Sequence, residues 1–399
     1  MTQKHDVIVV GAGPAGSATA YFLAKQGADV LLLDKSEFPR DKTCGDAISP
    51  RALHVINQMG LLDELTVAAH CVHSLHLYAP NGVHIETPVP AETGMPDYTL
   101  VVPRLQLDVR LQSCAIEAGA QFQGEEKVID LLRLEEAVVG VRTRTRAGEQ
   151  EYIASGVVIA TGAAMRVMES ADLLPSKPSL MLAARTYFED VSDIRDQIEF
   201  YFNDVALPGY GWMFPTGPTS ANVGVGYIGK LHSSPRVAFD KLIEEHPRLQ
   251  EILSQARGVG PVKSFPLRVD FHKSQKTAAG LIAVGEAVGL VNPYTGEGID
   301  YALESGQIAA KVVGALLQRG MPWTVQNLEP YVQTVNARFQ KLFVLMTRAR
   351  GLYYNPHVLN RIFGGGRQAL VKTLVEIAFS NANPALAFRP RTLWEIARP

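Results

Sequence analysis

"HDVIVVGAGPAGSATAYFLAKQGADVLLLDK", residues 5–35, decides the fold. "HDVIVV" is a short apolar run, the pattern of a strand buried on both faces. Gly11, Gly13 and Gly16 follow at once, "SATAYFLAKQG" reads as a helix, and "ADVLLLDK" is a second buried strand ending at Asp34 and Lys35. This is a βαβ unit. Gly11 permits the tight turn, Gly13 lets the backbone approach a pyrophosphate, and Gly16 lets helix and strand pack closely. The phosphates sit on the helix N-terminus around Ala15, and Asp34 falls where an acid binds a ribose hydroxyl. The same glycine spacing recurs at Gly224–Gly229, but in an alternating, strand-like run that opens no helix. That copy is a chance match.

The rest of the chain supplies further pieces of such a site. "FPRDKTCGDAISPRAL" (38–53) crowds Arg40, Asp41, Lys42 and Asp46 around Cys44 and Gly45. It reads equally as a solvated loop with a buried thiol or as a loop closing over a cofactor, where nearby cations would lower the thiol pKa. In "VVPRLQLDVRLQSCAIEAGA" (101–120), Arg104 opens a helix whose Leu107, Leu111 and Ala115 share a face. A cation at a helix start opposes the helix dipole, which points to an anionic partner or to an ordinary salt bridge. "YIASGVVIATGA" (152–163) is another buried strand, leading to Gly162. In "GLIAVGEAVGLVNPYTGEGIDYALESG" (280–306) a strand ends at Gly285 and Glu286 follows. A loop through Pro293 and Gly296 then opens a long helix at Gly298 and Ile299. A glycine-lined helix N-terminus there would stabilise negative charge on a reduced flavin.

The middle of the chain changes pattern. "MLAARTYFEDV" (181–191), "QIEFYFND" (197–204) and "SANVGVGYIG" (220–229) alternate as strands of an antiparallel sheet do. Between two of them lies "PGYGWMFP" (208–215), within the uncharged stretch Val205–Gly229. Composition alone favours a strand whose aromatics fill a core. His70, His73, His76 and His84 flank the hairpin signal Asn81-Gly82 and read as residues along a β-ribbon, with no metal site.

Bulk properties exclude several classes. The 399 residues carry a net charge of −2, with 47% hydrophobic and 20% charged residues, so a packed core is feasible and nucleic acid is not an expected partner. Three cysteines without metal spacing point to a reducing compartment, hence a cytoplasmic location. From Tyr331 onward ten Lys/Arg face two acids, a net +8 that leaves −10 for the remainder. This helical tail, broken at Gly351, Pro356 and Gly364–Gly366, reads equally as a cap with a solvated face or as a peripheral contact with the inner membrane surface.

The order of these pieces resembles the flavoprotein hydroxylase superfamily and, within it, the geranylgeranyl reductase family. The stretches that carry the resemblance are "GAGPAGSATA", "FPRDKTCGD", "PRLQLD", "PGYGWMFP" and "GEAVGLVNPYTGEGIDYALESG", from residue 6 to about 310 with gaps. The resemblance implies an α/β fold: a Rossmann-type FAD-binding domain (1–65, 104–165, 275–325), an antiparallel-sheet substrate domain (66–103, 166–274) and a helical C-terminal region (326–399). It implies FAD bound across Gly11, Gly13, Ala15, Gly16, Asp34, Lys35, Cys44, Gly45, Arg104, Gly162, Gly285, Glu286, Pro293, Gly296, Gly298 and Ile299. It implies reduction of isoprenoid double bonds in a prenylated lipid, quinone or pigment, with wording nearest the menaquinone-tail reductases. Tyr210, Trp212 and Phe214 would wall the prenyl chain, Gly209 and Gly211 would let their strand pass close to the flavin, and Cys44, Tyr210 and Trp212 are the candidate catalytic residues. Two departures stand out. Glu286 replaces the usual Asp, and "ATGAAMRVMES" (160–170) lacks the Asp-Gly that hydroxylases carry there. The second weakens a monooxygenase reading and leaves the electron donor open between NAD(P)H and ferredoxin. A halogenase is disfavoured because Tyr210 and Phe214 replace the expected Trp and Ile. A FAD-containing prenyl-lipid carrier is the remaining alternative.

Overall fold

The computed structural model describes residues 4–91, 94–228, 234–364, 367–379 and 383–397. Gly229, Gly365, Gly366 and Arg398, which entered the sequence reading, lie outside them.

The strand Lys4–Val10 runs parallel to Val30–Leu33 on one side and Gly148–Ile159 on the other. Val7, Ile8 and Val9 are wholly buried, as a strand covered on both faces requires. The path of this eight-stranded sheet is Thr277–Ala278, Leu281–Ala283, Gly148–Ile159, Lys4–Val10, Val30–Leu33, Gln121–Gln123. A hairpin, Lys127–Leu134 with Ala137–Thr145, extends it from Gly148–Ile159. The crossover helix Pro14–Ala24 begins with Pro at its first turn, where no backbone N–H is missed. Helix Ile299–Gln318 packs on it so closely that a Cβ on Gly306 would lie 2.5 Å from the Ala15 carbonyl.

A seven-stranded sheet runs Arg257–Arg268, Leu180–Glu189, Ser220–Ile228, Gly209–Gly217, Gln197–Tyr201, Ser74–Tyr78, His84–Pro88. It is antiparallel except where Gln197–Tyr201 runs parallel to Ser74–Tyr78. The hairpin at Asn81-Gly82 joins its last two strands. Ala47–Ile48, Thr99–Val101 and His70–Val72 form a third, small sheet whose last two strands touch Gly209–Gly217.

Period-two alternation gives the strand Gly209–Gly217 two different faces. Trp212 and Phe214 pack in a core with Phe200 and Tyr353, with Tyr210 packed against it, whereas Met213 packs with Phe239 and Leu242. This corrects the expected role of two glycines. A Cβ on Gly211 would meet Leu242 at 2.5 Å, and one on Gly209 the Gly226 carbonyl at 2.5 Å. They admit the covering helix Pro235–Glu245 and the neighbouring strand, on the side away from the aromatic face.

The C-terminal helices Lys341–Tyr353, Pro356–Phe363 and Gln368–Phe379 lie over that aromatic face. Tyr353, Ile362, Phe363, Val371 and Val375 share one core cluster with Trp212 and Phe214. Among the described residues no helix is long and apolar enough to cross a membrane.

Candidate functional site

A cavity of about 730 Å³ lies between the two large sheets and the C-terminal helices. One end is glycine-rich and polar. Gly11, Gly13, Ala15, Asp34, Lys35, Arg104 and Gly162, far apart in sequence, all line it. Gly11 has φ +106°, and a Cβ there would sit 2.4 Å from the Ala160 carbonyl, so only glycine serves. The helix behind it has no side-chain cap at Gly13, leaving its first N–H groups for a ligand. Asp34 accepts from Ala12 N–H at 2.8 Å and Ser36 N–H at 2.9 Å, which fixes its carboxylate at the cavity wall.

The second helix N-terminus, Gly298–Ile299, also opens on this cavity without a side-chain cap. Asn292 shapes the loop before it, its Oδ1 accepting from Tyr294 N–H at 2.9 Å. Gly296 and Glu286 also line the cavity. Glu286 is held by Lys42 Nζ at 2.7 Å, a pair that composition did not reveal. Gly16, Gly285 and Pro293 do not reach the cavity wall. A Cβ on Gly16 would lie 1.8 Å from the Gly11 carbonyl, and one on Gly285 2.8 Å from Ala15 Cβ. Both glycines serve helix–strand packing, and Pro293 is buried in the loop.

Arg104 resolves toward the salt bridge. Its guanidinium donates to both Asp108 oxygens at 2.7 Å, and Arg40 adds a contact at 2.9 Å. Arg104 is 3% exposed and Asp108 fully buried. Arg104→Met is expected to destabilise the protein by about 3 kcal/mol, the low end for breaking a buried pair because Arg40 remains. Urea denaturation of the FAD-loaded protein measures this, and a loss under about 1 kcal/mol would place the pair among weak surface bridges.

The other end of the cavity is apolar and aromatic. Tyr210, Trp212 and Phe214 wall it together with Phe200, Phe202 and the C-terminal Tyr354, Ile362 and Phe363. Tyr210 O–H donates to the Thr295 carbonyl and Tyr354 O–H to the Tyr294 carbonyl at 2.8 Å, tying the aromatic wall to the loop of the second helix N-terminus.

Cys44 and Gly45 sit where the two ends meet. A Cβ on Gly45 would lie 2.7 Å from the Phe214 ring, so the loop touches the aromatic strand directly. Asn222 pins this loop: its Nδ2 donates to the Cys44 carbonyl at 2.7 Å and to Asp46 at 2.8 Å, while its Oδ1 accepts from Trp212 Nε1 at 3.0 Å. Tyr187 O–H gives Asp46 a second donor at 2.6 Å. Burial nonetheless pushes Asp46 up to about 6. Of the two readings left open for Cys44, a thiol activated by nearby cations does not hold. Burial raises its pKa and outweighs the lowering by Arg104 and Lys42, so the thiol stays protonated at neutral pH.

Sequence reasoning missed Lys42, Asn222, Tyr187, Glu297 and the C-terminal aromatics as site residues. The available signal was Asn222, a polar residue inside an apolar alternating strand. The four histidines form no metal cluster among the described residues; His76 and His84 bond each other at 3.0 Å.

The donor set fits FAD. Two uncapped helix N-termini and a fixed carboxylate face one cavity, the kind of donors that a dinucleotide cofactor calls for.

Comparison with known proteins agrees with this geometry. The family described as FAD binding domain matches residues 4–320. A menaquinone reductase of Mycolicibacterium smegmatis is 31% identical over 376 residues, 90% of this chain and 89% of the relative. A digeranylgeranylglycerophospholipid reductase of Methanopyrus kandleri is 31% identical over 357 residues, covering 88% and 87%. The crystal structure of a geranylgeranyl bacteriochlorophyll reductase-like protein from Thermoplasma acidophilum superposes with a TM-score of 0.79 at 23% identity, over 99% of this chain and 96% of that one.

Proposed function

Because the chain belongs to the FAD binding domain family, and within it to the geranylgeranyl reductases, we propose that its substrate is a prenylated quinone whose isoprenoid tail it saturates. The protein is a FAD-dependent oxidoreductase that reduces carbon–carbon double bonds of prenyl chains. The quinone headgroup is supported by the menaquinone reductase relative. The observation that carries the reading is the continuity of one cavity from the glycine-rich helix N-termini to a wall of aromatic side chains.

When bound, FAD in its reduced form supplies a hydride equivalent to the alkene. The chain's own residues position the reactants. Asp34 would hold the ribose, the N–H groups at Gly13 and Ala15 the pyrophosphate, and those at Gly298–Ile299 the flavin edge where negative charge develops. Lys42 and Glu286 would flank the ribityl-phosphate region. Tyr210, Trp212, Phe214 and the C-terminal aromatics hold a hydrocarbon by shape and exclude water from it. In this reading the FAD-holding unit is 1–65, 104–165 and 275–325, the substrate unit 66–103 and 166–274, and region 326–399 closes the tunnel.

The test is the mass of the product. The protein is reduced anaerobically, supplied with a menaquinone and with a geranylgeranyl glycerolipid, and the lipids are weighed by mass spectrometry. A gain of about two mass units that stays on the menaquinone after its headgroup is reoxidised in air, one hydride plus one proton added to the tail, is the expected result. The same gain on the glycerolipid alone would move the headgroup assignment. Unchanged masses on both would leave a lipid carrier and sink the reductase reading.

A further inference from the structure

Saturating an alkene takes a proton as well as a hydride, and we infer that Glu297 is the carboxylic acid that delivers it. This rests on the prenyl-reductase reading above. The carboxyl-bearing residue lines the cavity beside Gly296 and Gly298, in the loop whose Thr295 carbonyl receives the Tyr210 hydroxyl. Glu297 is half-buried and is one of the residues that line the cavity.

The groups facing Glu297 leave it without a cation of its own. Arg51 approaches from helix Pro50–Gln58, but its guanidinium pairs with Asp300 at 3.3 Å and with Glu304 at 2.9 Å. Ser49, the N-cap of that helix, offers its hydroxyl to the Glu297 carboxyl, and it and Arg51 both draw the pKa down, by less than burial and Asp300 push it up. Asp300 brings a like charge, and Tyr301 and Tyr210 bring neutral phenols. Burial first, then the Asp300 carboxylate, pushes Glu297 up to about 8. The acid is therefore protonated at neutral pH and still able to give its proton up.

The other acids around the cavity are poorer donors. Burial raises both Cys44 and Tyr210, and the Tyr210 proton is already donated to a carbonyl. Asp46 accepts bonds from Tyr187 and Asn222, which favour its ionised form, and it is fully buried. Lys42 is paired with Glu286.

In the step, one alkene carbon takes the hydride equivalent from reduced FAD. The π pair forms the second C–H bond with the proton from the Glu297 carboxyl. FAD ends oxidised, Glu297 ends as carboxylate, and water entering after product release returns its proton.

The experiment compares wild type, Glu297→Gln and Glu297→Asp in three readouts. In lipid mass spectrometry after anaerobic reduction, Glu297→Gln is expected to lose about 10²–10⁴-fold in rate, and Glu297→Asp to retain part of it. Flavin fluorescence is expected to show unchanged FAD affinity in both. In the oxidised, substrate-free holoenzyme, infrared pH-difference spectra are expected to show a protonated-carboxyl band that titrates near pH 8 and is absent in Glu297→Gln. The wild-type rate should fall as pH rises through that same value, because the protonated form is the active one. A Glu297→Gln enzyme as fast as wild type, or no Glu297-dependent band at neutral pH, overturns the assignment. A wild type that leaves every prenyl lipid unchanged overturns the reductase reading instead, and the step proposed for Glu297 with it.

Discussion

Trp212→Ala is expected to destabilise the protein by about 3–5 kcal/mol, the cost of emptying a buried aromatic site. Trp212 is 5% exposed, and its ring fills the space over Gly224, where a Cβ would come within 2.2 Å of it. The loss has a second part. Trp212 Nε1 donates to Asn222 Oδ1, and Asn222 in turn holds the Cys44 carbonyl and Asp46. Trp212→Phe separates the two effects. It keeps most of the ring volume and leaves Asn222 Oδ1 without its donor, for about 1–3 kcal/mol. Both variants loosen the Cys44–Asp46 loop, and prenyl reduction should fall by about 10²-fold, as displaced reacting groups do. Guanidinium denaturation and initial rates measure the two quantities. Full activity in Trp212→Phe would show that the Asn222 anchor does not position the loop.

Gly13→Ala should divide cofactor binding from folding. A Cβ on Gly13 meets nothing closer than Arg40 at 3.5 Å, ordinary contact, and Gly13 has φ −78°. The protein itself therefore tolerates alanine there, and the apoprotein melting temperature should hardly move. The added methyl projects where the backbone must approach the FAD pyrophosphate, so affinity should fall by about 10²-fold, roughly 2.7 kcal/mol. Gly11→Ala should behave differently. Its Cβ would strike the Ala160 carbonyl at 2.4 Å from a residue with φ +106°, so the apoprotein itself loses stability. Calorimetry of the apoproteins with FAD titration checks both. Equal FAD affinity in Gly13→Ala and wild type would remove the pyrophosphate from this helix.

The parts of this protein legible in the sequence are those whose meaning is local. The strand, turn and helix at Val7–Ala24 are contiguous, and each glycine's requirement follows from the next few residues. The helix start at Gly298 and the aromatic alternation Tyr210, Trp212, Phe214 are local in the same way. The glycines of that strand were read for the wrong face, because alternation says that two faces differ without saying what covers each.

Tertiary structure decided the rest. Lys42 meets Glu286 across 244 positions, Asn222 meets Asp46 across 176, and Arg51 meets Glu304 across 253. No spacing rule connects such pairs. The C-terminal helices put Ile362 and Phe363 on the aromatic wall, a contact no local pattern announces. Protonation followed the same logic. The cations near Cys44 in sequence suggested a lowered thiol pKa, but burial raises it. Glu297 looked like one acid among many until its neighbours were in place. The sequence by itself determined a FAD-binding βαβ fold and its glycines, since these need only neighbours along the chain. Which acids keep their protons, and what covers the aromatic wall, depend on burial and on partners brought in from far along the chain, which exist only once it has folded.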